Sequence, residues 1–251
     1  MIACRLLLSL LRLAFRLFYN QFAFTYDWVS ALVSRGRWRT WTRAAIPRLQ
    51  GTRILEVPCG TGNLLLDLRA AGCTPIGVDL SAAMLGITRG KFGVRARHSP
   101  KFGFLKSRLA DSQAASISND GVANASPLLA RARAQALPFP DRAFDSVVMT
   151  FPPGFVSDPA AFAEIRRVLD DRGRLIWVDG ARFVQPGMWS RMVNRWIGFV
   201  GGEIECERLM KQALEGAGFD AQVEWEGDDV SAVAVAVASK SVVSSQSMSL
   251  S

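Results

Sequence analysis

From Thr52 onward, short apolar runs alternate with amphipathic stretches, the rhythm of a parallel α/β sheet. Ile54-Leu55-Glu56-Val57 is a largely apolar run that leads into Pro58-Cys59-Gly60-Thr61-Gly62. The spacing from Asn63 to Ala71 then predicts a helix closed by Gly72. Pro75-Ile76-Gly77-Val78-Asp79 is a second buried run, and Ser81 after it caps a helix carrying Met84 and Leu85. From Gly90 to about Pro127 the pattern lapses into Gly, Ser, Asn, Ala and basic residues, which predicts a flexible insertion over residues 91–127. Order resumes with a third strand and its exit over Leu128–Gln135 and a fourth strand over Phe144–Phe151. A helix follows from Asp158 and Pro159 through Leu169, then a turn at Asp171-Arg172-Gly173-Arg174 and a fifth strand over Leu175–Val178. Beyond it come an apolar helical stretch from Arg182 to Val200, with Met188, Met192 and Trp196 on one face, and a polar-faced helix over Glu203–Ala217. Two strands, Gln222–Glu226 and Ala232–Ala238, are joined by Gly227-Asp228-Asp229, and the Ser-rich residues 239–251 predict a disordered tail.

The first 50 residues follow another pattern, that of a basic, amphipathic helical arm. Arg5, Ser9, Arg12, Arg16 and Asn20 recur at helical steps and form a narrow polar stripe beside a broad apolar face. Three readings fit residues 1–24: a helix lying in a bilayer interface, a transit peptide, and a helix packed on the domain. In residues 25–50, Arg35, Arg37, Arg39 and Arg43 interleave with Trp38 and Trp41. That run suits nucleic acid or anionic headgroups, and equally a helix over about Trp38–Leu49 whose Trp side chains cover the domain while Arg faces water.

Charge sharpens the division. The chain carries a net charge of +8. Residues 1–53 hold nine Arg and one acid, Asp27, so the remainder is neutral. Cys4, Cys59, Cys73 and Cys206 lack paired metal spacing and fit reduced, intracellular thiols; His98 is the only histidine. No metal site and no Ser-His-Asp triad is expected.

The candidate chemistry gathers at the glycine turn. Gly60 and Gly62 permit a sharp strand exit and the close approach of a ligand, and Asp79, at the tip of the second strand, suits both hydroxyls of a ribose. A dinucleotide fold wants a third glycine where this chain has Leu65. Glu56 would repel a phosphate but favour a sulfonium or an amino group, which points to S-adenosylmethionine (SAM) rather than NAD.

Leu55 to Gly62 resembles the first motif of class I SAM-dependent methyltransferases, with Pro58 standing where the first glycine usually sits. Glu164, Arg167, Val168, Leu169, Gly173 and Leu175 match a second family segment. The resemblance covers about residues 51–238 apart from the insertion. It implies a Rossmann-like seven-stranded sheet, mostly parallel with an antiparallel last strand and helices on both faces. It also implies that Glu56 and Pro58-Cys59-Gly60-Thr61-Gly62 hold the methionine part of SAM, and Asp79 and Leu80 the ribose side. Met84, Ala134 and Gln135 would meet the adenine, core packing remaining open for Met84, and Thr150 and Phe151 would border the transferred methyl. Arg133 stands where the family often has an acid for the adenine amine, leaving Gln135 or a backbone carbonyl for that role. Pro152-Pro153 lacks the flanking residues of the base-amine methyltransferase motif, so the expected acceptor is a small, apolar or lipid-like molecule. No general base is evident; Tyr26 and Tyr19 are the phenols available to orient an acceptor. Two alternatives stand beside this: a nucleic-acid methyltransferase or RNA-binding protein docking through the arm, and a non-catalytic membrane scaffold. The expected location is intracellular, peripheral to a membrane or in an organelle.

Overall fold

A computed structural model describes residues 25–93, 128–185, 187–201 and 203–241. The expected amphipathic segment 1–24 with Tyr19, nearly all of the expected insertion and most of the Ser-rich tail lie outside these residues.

The arm enters as α1 (Tyr26–Val33) and α2 (Trp38–Arg43), followed by a 3-10 turn at Ile46–Arg48. The domain then runs β1 (Arg53–Glu56), α3 (Asn63–Ala70), β2 (Thr74–Asp79), α4 (Ala82–Lys91), β3 (Leu128–Arg131) and β4 (Phe144–Thr150). After a 3-10 turn at Gly154–Ser157 come α5 (Pro159–Val168), β5 (Leu169–Phe183), α6 (Met188–Gly201), α7 (Glu203–Gly216), β6 (Phe219–Gly227) and β7 (Ser231–Lys240). The seven strands form one sheet in the order β3-β2-β1-β4-β5-β7-β6, with β7 antiparallel to both neighbours. This is the expected Rossmann-like arrangement.

Alternation along the strands explains the layers, because successive side chains point to opposite faces. Leu55, Val147, Leu175 and Trp177 bury one face with Ile165 of α5 and Leu214 of α7. Ile54, Val148, Ile176 and Val178 bury the other with Leu64 and Leu68 of α3, Val193 of α6 and Trp41 of the arm. The arm is therefore a layer of the core over part of the second face.

The third strand runs over Leu128–Arg131, and an Arg133–Ala136 bridge turns the chain back in its exit. Two elements differ from the sequence expectation. The fifth strand begins at Leu169 and runs to Phe183, through the expected turn. Leu169 pairs with Phe144 and Arg174 with Ser146, so the Asp170–Gly173 stretch is taken up as a bulge. The expected helix Trp38–Leu49 is split into α2 and the 3-10 turn, where Pro47 interrupts the pattern.

Candidate active site

The site is built at the carboxyl ends of β1, β2 and β4, beside the switch in strand order between β1 and β4. β1 delivers Glu56 and then a turn through a cis Val57–Pro58 peptide. Cys59 N–H donates to the Val78 carbonyl at 2.8 Å, which ties the turn to β2. Gly60 and Gly62 both have positive φ, +51° and +77°, and Gly62 starts α3 from a left-handed conformation. A Cβ on Gly60 would meet open space, whereas one on Gly62 would overlap the γ-methyl of Thr88. The turn thus has a solid back, formed by α4, and a free front. The Thr88 hydroxyl, 2.9 Å from the Gly60 carbonyl, completes that back.

Asp79 is buried at the tip of β2. It accepts from Gly60 N–H at 2.9 Å and from Ser81 N–H at 2.7 Å. Burial raises its pKa against the opposing pull of the Ser81, Gly60 and Leu80 amides. Each oxygen keeps acceptor capacity for a hydroxyl. Glu56 is 2% exposed, and its Oε2 has no hydrogen-bond partner. Burial first, then the charges of Asp79 and Asp67, push its pKa well above the ordinary value. Burial, with Glu56 and Asp79, pushes the Cys59 thiol up as well, so Cys59 is not a ready nucleophile. An orphaned buried carboxylate is costly unless a cation meets it. The pair of acids and the open turn fit a ligand with a ribose at one end and a cationic group at the other.

At the tip of β4, Phe151 takes φ +44° while its N–H still donates to Val178 at 2.9 Å. Its ring stacks on Trp38 of α2 at 4.3 Å, with Trp41 next to both and Phe183 beyond. An aromatic wall made partly by the arm therefore borders the β4 rim.

The profile of a family described as a methyltransferase domain matches residues 55–177. A demethylmenaquinone methyltransferase of Thermus thermophilus is 32% identical over 210 residues, covering 78% of this chain and 83% of its own. The chain belongs to the class I SAM-dependent methyltransferases. A demethylmenaquinone methyltransferase of Symbiobacterium thermophilum is 32% identical over 183 residues, 68% of this chain, which spans only 62% of that relative's length. Among solved structures, a SAM-dependent methyltransferase of Thermotoga maritima superposes with a TM-score of 0.55 at 19% identity, covering 90% of this chain and 98% of its own. That likeness is one of fold.

Within this methyltransferase, Glu56, the Pro58–Gly62 turn, Asp79 and exposed Leu80 come together at the ends of β1 and β2, and Thr150 and Phe151 stand at the end of β4. Met84 is fully buried, as a core side chain would be. Ala134 is buried; Gln135 donates its amide N–H to Asp158 at 3.0 Å, which leaves its oxygen as an acceptor. Arg133 is exposed. Tyr26 lies edge-on to Trp38 at 6.1 Å. Met188 and Met192 of α6 are exposed, and the Trp196 side chain expected beside them lies outside the description. Among the described residues no cluster suits a metal ion. The residues missed from sequence are Asp27, Thr88 and Lys91, which grip the turn. Asp27 was conspicuous as the sole acid of the arm, but nothing along the chain placed it.

Proposed function

We propose that this enzyme transfers the methyl group of SAM to a ring carbon of a small, apolar, quinol-like lipid. The observation that carries this reading is the aromatic wall at the β4 rim, with Trp38 stacked on Phe151 where the acceptor would enter. The demethylmenaquinone methyltransferases and the ubiquinone/menaquinone biosynthesis C-methyltransferase of Geobacter sulfurreducens, 30% identical over 167 residues, support the same acceptor class. In this reading Glu56 meets the cationic end of the cofactor, the Gly60 front accepts its methionine part, and Asp79 receives the ribose hydroxyls. SAM supplies an already electrophilic methyl, so these residues act by orienting and by excluding water rather than by acid–base work.

Four described basic residues of the arm favour a lipid over nucleic acid as partner. Arg39 and Arg43 pair with Asp67, Arg37 with Asp228, and Arg48 with Glu224 and Glu226, so they fasten the arm to the domain. Trp28 and Leu32, one helical turn apart on α1, are 69% and 53% exposed and follow directly on the amphipathic segment 1–24. They suit a peripheral contact with a membrane surface, from which an apolar acceptor would be drawn; no described helix is long and apolar enough to cross one. The test is an acceptor panel with radiolabelled SAM, comparing demethylated quinols in vesicles, small amines and RNA. Label in the quinol fraction is expected. Label in RNA or amines, with none in quinol, would overturn the reading.

A further inference from the structure

The glycine turn is held from outside by a residue of the arm. Asp27, second in α1, accepts from Thr61 Oγ1 at 2.5 Å and from Asn63 Nδ2 at 3.0 Å through one carboxylate oxygen. Its other oxygen accepts from Lys91 Nζ at 2.5 Å, and Lys91 also donates to Asn63 Oδ1 at 2.6 Å. Asp27, Asn63 and Lys91 therefore close a ring that joins α1, the first residue of α3 and the last residue of α4, with Thr61 attached. We propose that Asp27 is a positioning residue for the cofactor: it fixes the Gly60–Gly62 turn and makes α1 the outer wall of the cleft. This rests on the reading of that turn as the place where SAM binds.

The need for such a clamp follows from the turn itself. Two glycines at positive φ leave its backbone soft, and the open front of Gly60 offers no packing to stiffen it. Thr88 supports it from behind, while Asp27 fixes the side chains of Thr61 and Asn63 on either side of Gly62. Docking of the arm alone does not require Asp27. Trp41 is buried and donates Nε1–H to Ser231 at 3.1 Å, and four arginines pair with α3, β6 and the β6–β7 loop. Asp79 holds the Gly60 amide from β2, and Asp27 is the acid of the arm that reaches the side chains of Thr61 and Asn63. The ring also explains why a lysine ends α4: its ammonium balances the carboxylate and orients the Asn63 amide. Polar rings of this kind are stiff when every member is satisfied, and loosen as a unit.

The experiment compares Asp27→Asn, Lys91→Met, the double variant and Arg43→Gln in the full chain. SAM binding and dissociation are followed by titration and stopped flow, thermal midpoints are recorded, and hydrogen exchange is read at the amides of residues 60–63 without cofactor. Asp27→Asn is expected to weaken SAM binding about tenfold, mainly through faster dissociation, with only a small shift in midpoint. Lys91→Met should match it, and the double variant should be no worse than either single one. Arg43→Gln, which cuts an anchor away from the turn, should lower the midpoint and leave dissociation unchanged. Exchange at residues 60–63 should quicken in Asp27→Asn. Wild-type dissociation and exchange in Asp27→Asn would overturn the proposal, as would losses that merely track the midpoint as in Arg43→Gln. If the wild-type protein bound no SAM, the cofactor reading would fall instead; faster exchange would then still show the clamp, and unchanged exchange would remove it.

Discussion

In the proposed site, Glu56 sets function against stability. Its carboxylate is buried without a hydrogen bond at Oε2, and burial raises its pKa. A carboxyl whose folded pKa is raised binds its proton more tightly in the folded state. Stability is thus lost as pH rises from the ordinary glutamate value through the raised one. Glu56→Gln removes that titration. The cofactor-free variant should melt above wild type at neutral pH, and the gap should close in acid, as a pH series of thermal melts would show. The same variant should bind SAM more weakly, because the cationic end of the cofactor would lose its proposed partner. Asp67 has the opposite sign. Burial pulls its pKa up, but hydrogen bonds from Arg39 and Arg43 outweigh it and hold the pKa below the ordinary value. Its contribution is present above the ordinary aspartate value and disappears as pH falls through the folded one. Asp79→Ala should weaken SAM binding by about 1.5–3 kcal/mol in calorimetric titration, since it removes the proposed charge-assisted bonds to the ribose and frees two amides.

The turn between β1 and α3 is the element on which the site depends. Gly62 has φ +77°, and a Cβ there would also overlap Thr88. Gly62→Ala should cost about 1–2 kcal/mol from the backbone alone, plus the overlap. Adding Thr88→Ser should recover the overlap part and not the backbone part, which urea denaturation can separate. Gly60 and Gly62 were legible in sequence because few residues other than glycine suit such a strand exit. β1, β2 and β4 were legible because burial on both faces leaves continuous apolar runs. β5 was not, since Asp171, Arg172 and Gly173 look like a turn until pairing with β4 absorbs them in a bulge. The Asp27 ring was invisible for another reason: its partners lie 34, 36 and 64 residues away, and no local pattern joins them.

At the scale of the whole molecule, the arm and the domain share a core. Trp41 is 4% exposed among Ile54, Val148 and Val178, and touches the aromatic group that ends in Phe151. Trp41→Ala should therefore destabilise the whole fold by about 3–5 kcal/mol in denaturant unfolding, not merely release the arm. A transition in which the arm melts alone would contradict the shared core. The same packing puts Trp38 over the β4 rim, so the segment that fastens the arm also walls the proposed place of methyl transfer. The most direct test of that arrangement is where the methyl group goes. The enzyme is given SAM carrying an isotopically labelled methyl and a demethylated quinol in vesicles, and the extracted quinol is read by NMR. The label is predicted on a ring carbon of the quinol, with release of S-adenosylhomocysteine. Label that stays in SAM, or that is found on a nucleic-acid base supplied in competition, would contradict the account.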